Sequence, residues 1–418
     1  MNITEIVSDR LHDKYYKIEH KSGLTVYVYP KKDYVSTYAV CAVNFGSVNY
    51  DFMCGNERVT LPDGTAHYME HKMFDGFTEF AAYANAYTTF DKTAYLFSCT
   101  QDFEKSLERL LELMQNPNFT EESVEKERGI IAQEIKMYED DPYSRAIYNL
   151  LEAMYFNAPI KKRVAGTVDS IMDITPQTLY TCYNSFYNLK NMILCVSGNV
   201  DVDTVCKIAD KMLTASDNET AENIKFDEPY EVKKKYVKEE FSIAMPLLYM
   251  GFKQGIPDEK ITEKSLAETD IMLFLLSSNT SELYRELTDE ELINSTFGYE
   301  YLYGDGYSMI MFSGETKDPD LTAEKIRNAV INMKNNGIDE KEFEIAKKAL
   351  YGSEIEAANS TERIGNAIID FAMSGLNIFN YLEAITEVTV EGINQRIDRQ
   401  LDENNCSLSV VLPKREEE

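Results

Sequence analysis

The segment Ser170–Val200, SIMDITPQTLYTCYNSFYNLKNMILCVSGNV, can be laid without a gap on Ala384–Lys414, AITEVTVEGINQRIDRQLDENNCSLSVVLPK. Each reads as helix, loop and closing apolar strand. Upstream of each, a second pair matches: Phe119–Ile135 (FTEESVEKERGIIAQEI) on Ile338–Glu354 (IDEKEFEIAKKALYGSE), both with an acidic helix start and the same apolar spacing. Two matched segments in the same order imply one domain present twice.

Outward from the repeat, GLTVYVYPKK and YVSTYAVCAVNFGS are β-branched and aromatic runs with strand character. Residues 62–75 turn helical, and AYTTFDKTAYLFSC from Ala86 returns to strand. FEKSLERLLELMQNP, SVEKERGIIAQEIKMYEDDP and RAIYNLLEAMYF then carry apolar residues at helical spacing, punctuated by Pro117 and Pro142. Strands and helices come in blocks, which points to an α+β class: two duplicated domains, each a mainly antiparallel β-sheet packed with helices. A chain of 418 residues exceeds a single core. We place the first domain at 1–215, a polar linker at 216–240 and the second domain at 241–418.

The net charge of −29 argues against nucleic acid or an anionic membrane as partner, because both are repelled at long range. It suits a solvated acidic surface or a cavity that attracts basic peptides. No stretch approaches the roughly 18 apolar residues of a membrane span. The start, MNITEIVSDRLHDKYY, has neither the basic opening nor the apolar middle of a signal peptide, so a cytoplasmic location is expected. The seven cysteines form no CxxC pair and sit mostly in runs such as MILCVSG, so they read as reduced core thiols.

The chain has only four histidines, and two of them bound the pentapeptide HYMEH, His67 to His71. On a helix, residues i and i+4 share a face, so both imidazoles can point at one atom, which is the spacing of a zinc pair. Glu70 lies near that face, where a carboxylate can take a proton from water without ligating the metal. Asp63 or Thr65 is available as helix cap, and Asp75-Gly76 as a stop. A catalytic zinc usually takes three protein ligands. His12 and His20 precede the first strand candidate and have no evident route to the pair. ERGIIAQE offers Glu127 and Glu134, two turns apart on one helix face, with Ile130 and Ile131 between them to set the helix against the core. The second copy contains no histidine, so the first half alone carries this chemistry.

HYMEH resembles the inverted zinc signature of the pitrilysin/insulinase metallopeptidases, the inverzincins. FGS at 45–47, NAYTTFDKTAY from Asn85, ERGIIAQE from Glu127 and the strand in YNLKNMILCVSGNV resemble family blocks in the right order. The resemblance thus covers nearly the whole chain, whose length is similar to the half-size members that include the mitochondrial processing peptidase subunits. It implies a zinc-dependent endopeptidase that cleaves peptides or unfolded protein segments. His67, His71 and Glu134 become the metal ligands, Glu70 the general base, and Glu127 a support behind the ligands. Asn85 and Ala86 match residues of the edge strand on which an extended substrate adds as a further strand. The spacing from His71 to Glu134 is shorter than in the family, a shortening placed around residues 75–80 and 100–105.

Many family members hold substrate with an arginine and a tyrosine seven apart in the second half. Here Arg285 is followed at that distance by Leu292, which leaves Tyr299 or Tyr301 to substitute, or to be core aromatics. In paired half-size members one chain carries the metal and the other the arginine and tyrosine. The resemblance therefore implies a homodimer, or a heterodimer with a related subunit that supplies the pair. A non-catalytic assembly subunit and a processing subunit dedicated to one precursor are the other readings.

Overall fold

The computed structural model describes residues 2–75, 77, 83–215, 221–254 and 260–414. Much of the shortening expected around 75–80, and positions 216–220 of the expected linker, lie outside the described residues. Near 100–105, helix α2 follows its strand after only three residues, with Asp102 at φ 54.

The first half runs β1 (Asn2–Ser8), β2 (Asp13–Glu19), β3 (Thr25–Pro30), β4 (Thr37–Val43), β5 (Asp51–Cys54), β6 (Glu57–Thr60) and helix α1 (Thr65–Phe74). A hairpin of β7 (Tyr83–Thr88) and β8 (Thr93–Cys99) leads to α2 (Phe103–Gln115), α3 (Glu121–Glu139), α4 (Pro142–Met154) and α5 (Pro176–Phe186). Strand β9 (Met192–Gly198) and α6 (Val202–Met212) close it. The second half runs β10 (Glu222–Asn223), β11 (Tyr236–Phe241), β12 (Leu247–Lys253), α7 (Glu263–Ser277), α8 (Glu282–Asp289), β13 (Gly298–Gly304) and β14 (Tyr307–Glu315). It ends with α9 (Pro319–Asn336), α10 (Glu340–Ala357), α11 (Thr361–Met373), α12 (Ile378–Glu387), α13 (Val390–Gln400) and β15 (Cys406–Pro413).

The repeat read from the sequence is the repeat of the fold. The gapless match pairs Pro176 with Val390, and these residues open α5 and α13, capped by Thr175 and Thr389. It also pairs Glu121 with Glu340, the first residues of α3 and α10. The second sheet has the order β11-β15-β12-β14-β13, parallel only at β11–β15. The first has the order β1-β2-β3-β9-β4-β8-β7, parallel only at β3–β9, so its last five strands repeat that arrangement and β1–β2 is an addition. A small sheet, β10-β5-β6, stands apart. The class is therefore α+β, with mainly antiparallel sheets.

The expected domain boundaries differ from the compact units, which are not contiguous in sequence. One comprises Met1–Ile135, Lys162–Ile224 and Ile355–Phe379, and the other Lys136–Lys161, Lys225–Glu354 and Asn380–Glu418. Each half thus lends the other unit one helix.

The reason lies in the central strands. Strand β4 is buried at every position, so both faces of its sheet need cover. Ala39, Cys41 and Val43 join the core that includes Leu107 and Leu110 of α2. Tyr38, on the alternate face, meets α11 from the second half: its hydroxyl donates to Asn366 Oδ1 at 3.0 Å. Gly365 makes that approach possible, since a Cβ there would lie 2.8 Å from Tyr38. In the other unit α4, from the first half, covers β12. Gly251 plays the same part there, since its Cβ would lie 2.4 Å from Met154 Sδ.

The expected linker is also more structured than its polar composition suggests. β10 pairs with β5, β11 runs parallel to β15, and Glu228 is nearly buried. Its carboxylate accepts the N–H groups of Phe156, Asn157 and Ala158 at 2.9, 2.7 and 2.8 Å. It also accepts from Lys253 Nζ at 2.7 Å, and Lys253 is only 2% exposed.

Candidate metal centre

Helix α1 starts at Gly64 with φ 90, a conformation that favours glycine, and a Cβ there would meet Ala165 O at 2.5 Å. This replaces the expected side-chain cap. Asp63 instead pairs with Lys162 at 2.8 Å, and the Thr65 hydroxyl donates to Pro62 O at 2.6 Å. The helix runs to Phe74 and is followed by Asp75, the first residue of the expected stop, while Gly76 lies outside the described residues. Tyr68 and Met69 point into the core, which turns His67, Glu70 and His71 the other way.

Helix α3 is held by three fixings, one of them to α1. The Tyr68 hydroxyl donates to Val124 O, Ile131 is fully buried, and the Arg128 guanidinium donates to Ile171 O and Ile174 O. The sequence reading placed both Ile130 and Ile131 against the core. Only Ile131 is there, and Ile130 is 50% exposed, because one helix step carries it around to solvent.

The result is convergence on one carboxylate. Glu134 Oε1 lies 3.5 Å from His67 Nε2, and Oε2 lies 3.2 Å from His71 Nε2. One ligand atom from each of His67, His71 and Glu134 lies within 4.8 Å of the others, and this is the one such group found among the described residues. Glu127 reaches the opposite nitrogen, with Oε1 3.0 Å from His71 Nδ1. Such a carboxylate fixes the tautomer that leaves Nε2 free to ligate. Two imidazole Nε2 atoms and a carboxylate form the donor set of catalytic zinc, and a His–carboxylate support behind it completes the match. The residues present therefore fit a zinc ion.

The charges are strongly coupled. Hydrogen bonds from His67 and then His71 hold Glu134 far below the usual carboxylate range. Burial works against a charged His71, but its bonds to Glu127 and Glu134 prevail and push it up to about 9. Glu70 is raised by burial, with His67 and a hydrogen bond from Thr88 acting against the rise.

That bond joins helix to strand. Thr88 Oγ1 donates to Glu70 Oε2 at 2.7 Å, and Thr88 ends β7, the edge of the seven-stranded sheet. Asn85 and Ala86 lie on the same strand, and Asn85 Oδ1 accepts the Ala86 N–H at 2.9 Å. Sequence reasoning missed Thr88, Tyr68 and Arg128. No spacing rule links a strand hydroxyl to a helix glutamate, although TT in NAYTTFDK is a polar pair at a strand end.

Arg285 and Tyr299 fall in the other unit, on α8 and β13. Arg285 Nε donates to its own helix cap, Ser281 O, at 3.3 Å. Tyr299 is half-buried, and Leu292 is a core residue.

Residues 58–168 match the family model for insulinase (peptidase family M16), and residues 173–350 match the peptidase M16 inactive domain. The chain is 34% identical to an uncharacterized zinc protease, YmfH of Bacillus subtilis (strain 168), over 99% of this chain and all of that protein. It belongs to the M16 peptidase family. The crystal structure of an M16-like peptidase from Alicyclobacillus acidocaldarius matches with a TM-score of 0.92 and 30% identity, covering 99% of both chains. A Helicobacter pylori relative, 24% identical over 75% of this chain and 73% of its own, is named a non-peptidase homolog. Within this M16 chain the two models divide as the histidines do. The insulinase model spans the metal cluster, and the inactive-domain model covers most of the copy without histidine.

Proposed function

We propose that the protein is a zinc-dependent endopeptidase of the cytoplasm that cleaves peptides or unfolded protein segments. The observation that carries this reading is the convergence of His67, His71 and Glu134 beside a glutamate, Glu70, tied by hydrogen bond to an edge strand. A zinc ion held by those three residues supplies Lewis acidity toward a water molecule and a peptide carbonyl.

The chain's own residues do the rest. Glu70 accepts the water proton and passes it to the leaving amine. Burial of Glu70 raises its basicity toward that task, and the Thr88 hydroxyl fixes which carboxylate oxygen faces the reaction. Glu127 holds the His71 ring in the ligating tautomer. The edge of β7, which pairs with no further strand among the described residues, carries Asn85 and Ala86 and accepts an extended peptide as an added strand, which presents a backbone carbonyl rather than a particular side chain. An incoming strand displaces the Asn85 side chain from the Ala86 N–H.

Arg285 and Tyr299 are proposed as substrate contacts, and a second copy or a related subunit as the partner that supplies an arginine–tyrosine pair. The free cysteines are in keeping with a reducing compartment. The competing reading, a non-catalytic subunit, is favoured by the relative named a non-peptidase homolog. Against it stands the complete set of ligands and base, for which a scaffold has no use.

The test is metal analysis and cleavage of unfolded peptides, alone and with a related subunit. The expected result is about one zinc per chain. Glu70→Gln should keep the metal and lose cleavage, and Glu134→Ala should lose the metal. Arg285→Ala and Tyr299→Phe should raise KM. A Glu70→Gln protein that cleaves as well as the parent would overturn the mechanism. Full zinc occupancy with no cleavage under any pairing would favour the scaffold.

A further inference from the structure

The two histidines of HYMEH are held unequally. His71 is fixed at both ring nitrogens: Nδ1 lies 3.0 Å from Glu127 Oε1, and Nε2 lies 3.2 Å from Glu134 Oε2. His67 is the more buried of the two, its side chain 10% exposed against 21%, yet it has the weaker support. Its Nε2 stands 3.5 Å from Glu134 Oε1, beyond the ordinary length of a hydrogen bond. Its Nδ1 is shut off from solvent and has no hydrogen-bond partner among the described residues.

A buried ring nitrogen without a partner is a rarity, because roughly nine in ten or more buried polar groups are paired. It is rarer still at a metal, where a ligating histidine almost always donates its second N–H to a carboxylate, a carbonyl or water. Once Nε2 of a neutral imidazole ligates, the ring proton sits on Nδ1. At His71 that proton goes to Glu127. At His67 the described chain supplies no acceptor for it, so burying that proton opposes ligation there. The His67 ring instead leans on its neighbour, with centroids 4.6 Å apart at 67°, a contact that contains no donor or acceptor pair.

Helix geometry produces the asymmetry. His67 and His71 are one turn apart on α1, and Glu127 and Glu134 are two turns apart on α3. The crossing of the two helices sets Glu134 between the rings and Glu127 behind His71, which leaves α3 no third carboxylate for His67.

This inference rests on the reading of the cluster as a zinc site. We propose that His71 and Glu134 are the anchoring ligands and that His67 is the detachable one, closing the site last on loading and opening it first on release. Glu127 is a positioning residue that acts through His71 alone.

The test is a zinc-affinity cycle on the full chain, read by chelator competition and, for the weaker variants, by direct titration. His67→Ala should still take up zinc. His71→Ala should bind it about 10–100-fold more weakly than His67→Ala, the factor that such a carboxylate support is worth. Glu127→Gln should cost about that factor in the parent and in His67→Ala, and nothing measurable in His71→Ala. Because the chain has only four histidines, isotopic labelling of histidine nitrogen gives a second measurement that leaves both rings in place. In the zinc-loaded parent the Nδ1 proton of His71, shared with a carboxylate, should resonate downfield of that of His67, and Glu127→Gln should move the first and not the second. Equal losses from the two alanine variants would overturn the proposal, as would loss of all zinc binding by His67→Ala, a Glu127→Gln penalty that persists without His71, or two Nδ1 protons that respond alike. These results refute the ranking of the ligands and leave the metal centre standing, whereas a parent that takes up no zinc refutes the centre and the ranking together.

Discussion

Replacing Lys253 with methionine should destabilise the protein by about 3 kcal/mol. Lys253 is 2% exposed, and its ammonium meets Glu228 Oε1 and Pro229 O at 2.7 Å, Glu231 O at 3.0 Å and Met154 O at 3.2 Å. Methionine fills the same space but strands a buried carboxylate and three carbonyl oxygens. Breaking a buried pair by removing one partner costs about 3–5 kcal/mol. The N–H groups of Phe156, Asn157 and Ala158 still hold Glu228, which places the cost at the lower end. In a Glu228→Gln background no charge is stranded, and the same methionine should cost about 1–2 kcal/mol.

The pH dependence follows from Glu228. Burial works to raise its pKa, but Lys253 and the three N–H groups outweigh it and hold the carboxyl below its ordinary value. Its contribution is therefore complete above the unfolded-state value and is lost as pH falls through the folded one. K253M removes one of those holds, so acid unfolding should begin at a higher pH than in the parent. The assay is urea unfolding followed by tyrosine fluorescence, which is unobscured because the chain has 28 tyrosines and no tryptophan. The ring of Tyr155 lies 5.0 Å from Lys253 Nζ. A loss of about 3 kcal/mol shifts the midpoint by about 1–1.5 M urea. A loss below about 1 kcal/mol, or the same loss in both backgrounds, would refute the reasoning.

Glu127→Gln should keep zinc but weaken its binding about 10–100-fold, read by competition with a chelator. Thr88→Val removes the hydroxyl that donates to Glu70 at 2.7 Å, and kcat should fall about tenfold or more while zinc content stays unchanged. Asp370→Asn loosens an ion pair of 2.7 Å between α11 and Lys92, in the turn that ends β7. Asp370 is half-exposed, so stability should change by less than about 1 kcal/mol, and the readout is a rise in peptide KM.

The repeat and the metal cluster were legible for the same reason: both are written in local spacing. An i, i+4 histidine pair, two glutamates seven apart and a gapless match of threonine-capped helices each require only that the chain be helical. What local spacing cannot show is which face of a sheet a distant helix covers. The two buried faces of β4 read alike in YVSTYAVCAVNFGS, and nothing in that run names Gly365. The linker misled for a related reason. Its charges look solvated, yet one of them, Glu228, is the partner of a lysine inside a strand. Gly64 replaced a side-chain cap because close backbone approach at Ala165, rather than capping chemistry, decides that helix start.

The helix exchange has a consequence for inheritance. A chain cut within 216–240 yields no independent half, since each fragment keeps a helix that belongs to the other unit and lacks one of its own. The two copies of the ancestral domain therefore cannot drift apart freely. A substitution at Gly365, in the copy that contains no histidine, presses on Tyr38, in the sheet whose edge carries Asn85 and Ala86. Selection on the copy with the His67–His71–Glu134 cluster is thereby also selection on the other copy, and the absence of that cluster from one repeat need not release it from constraint.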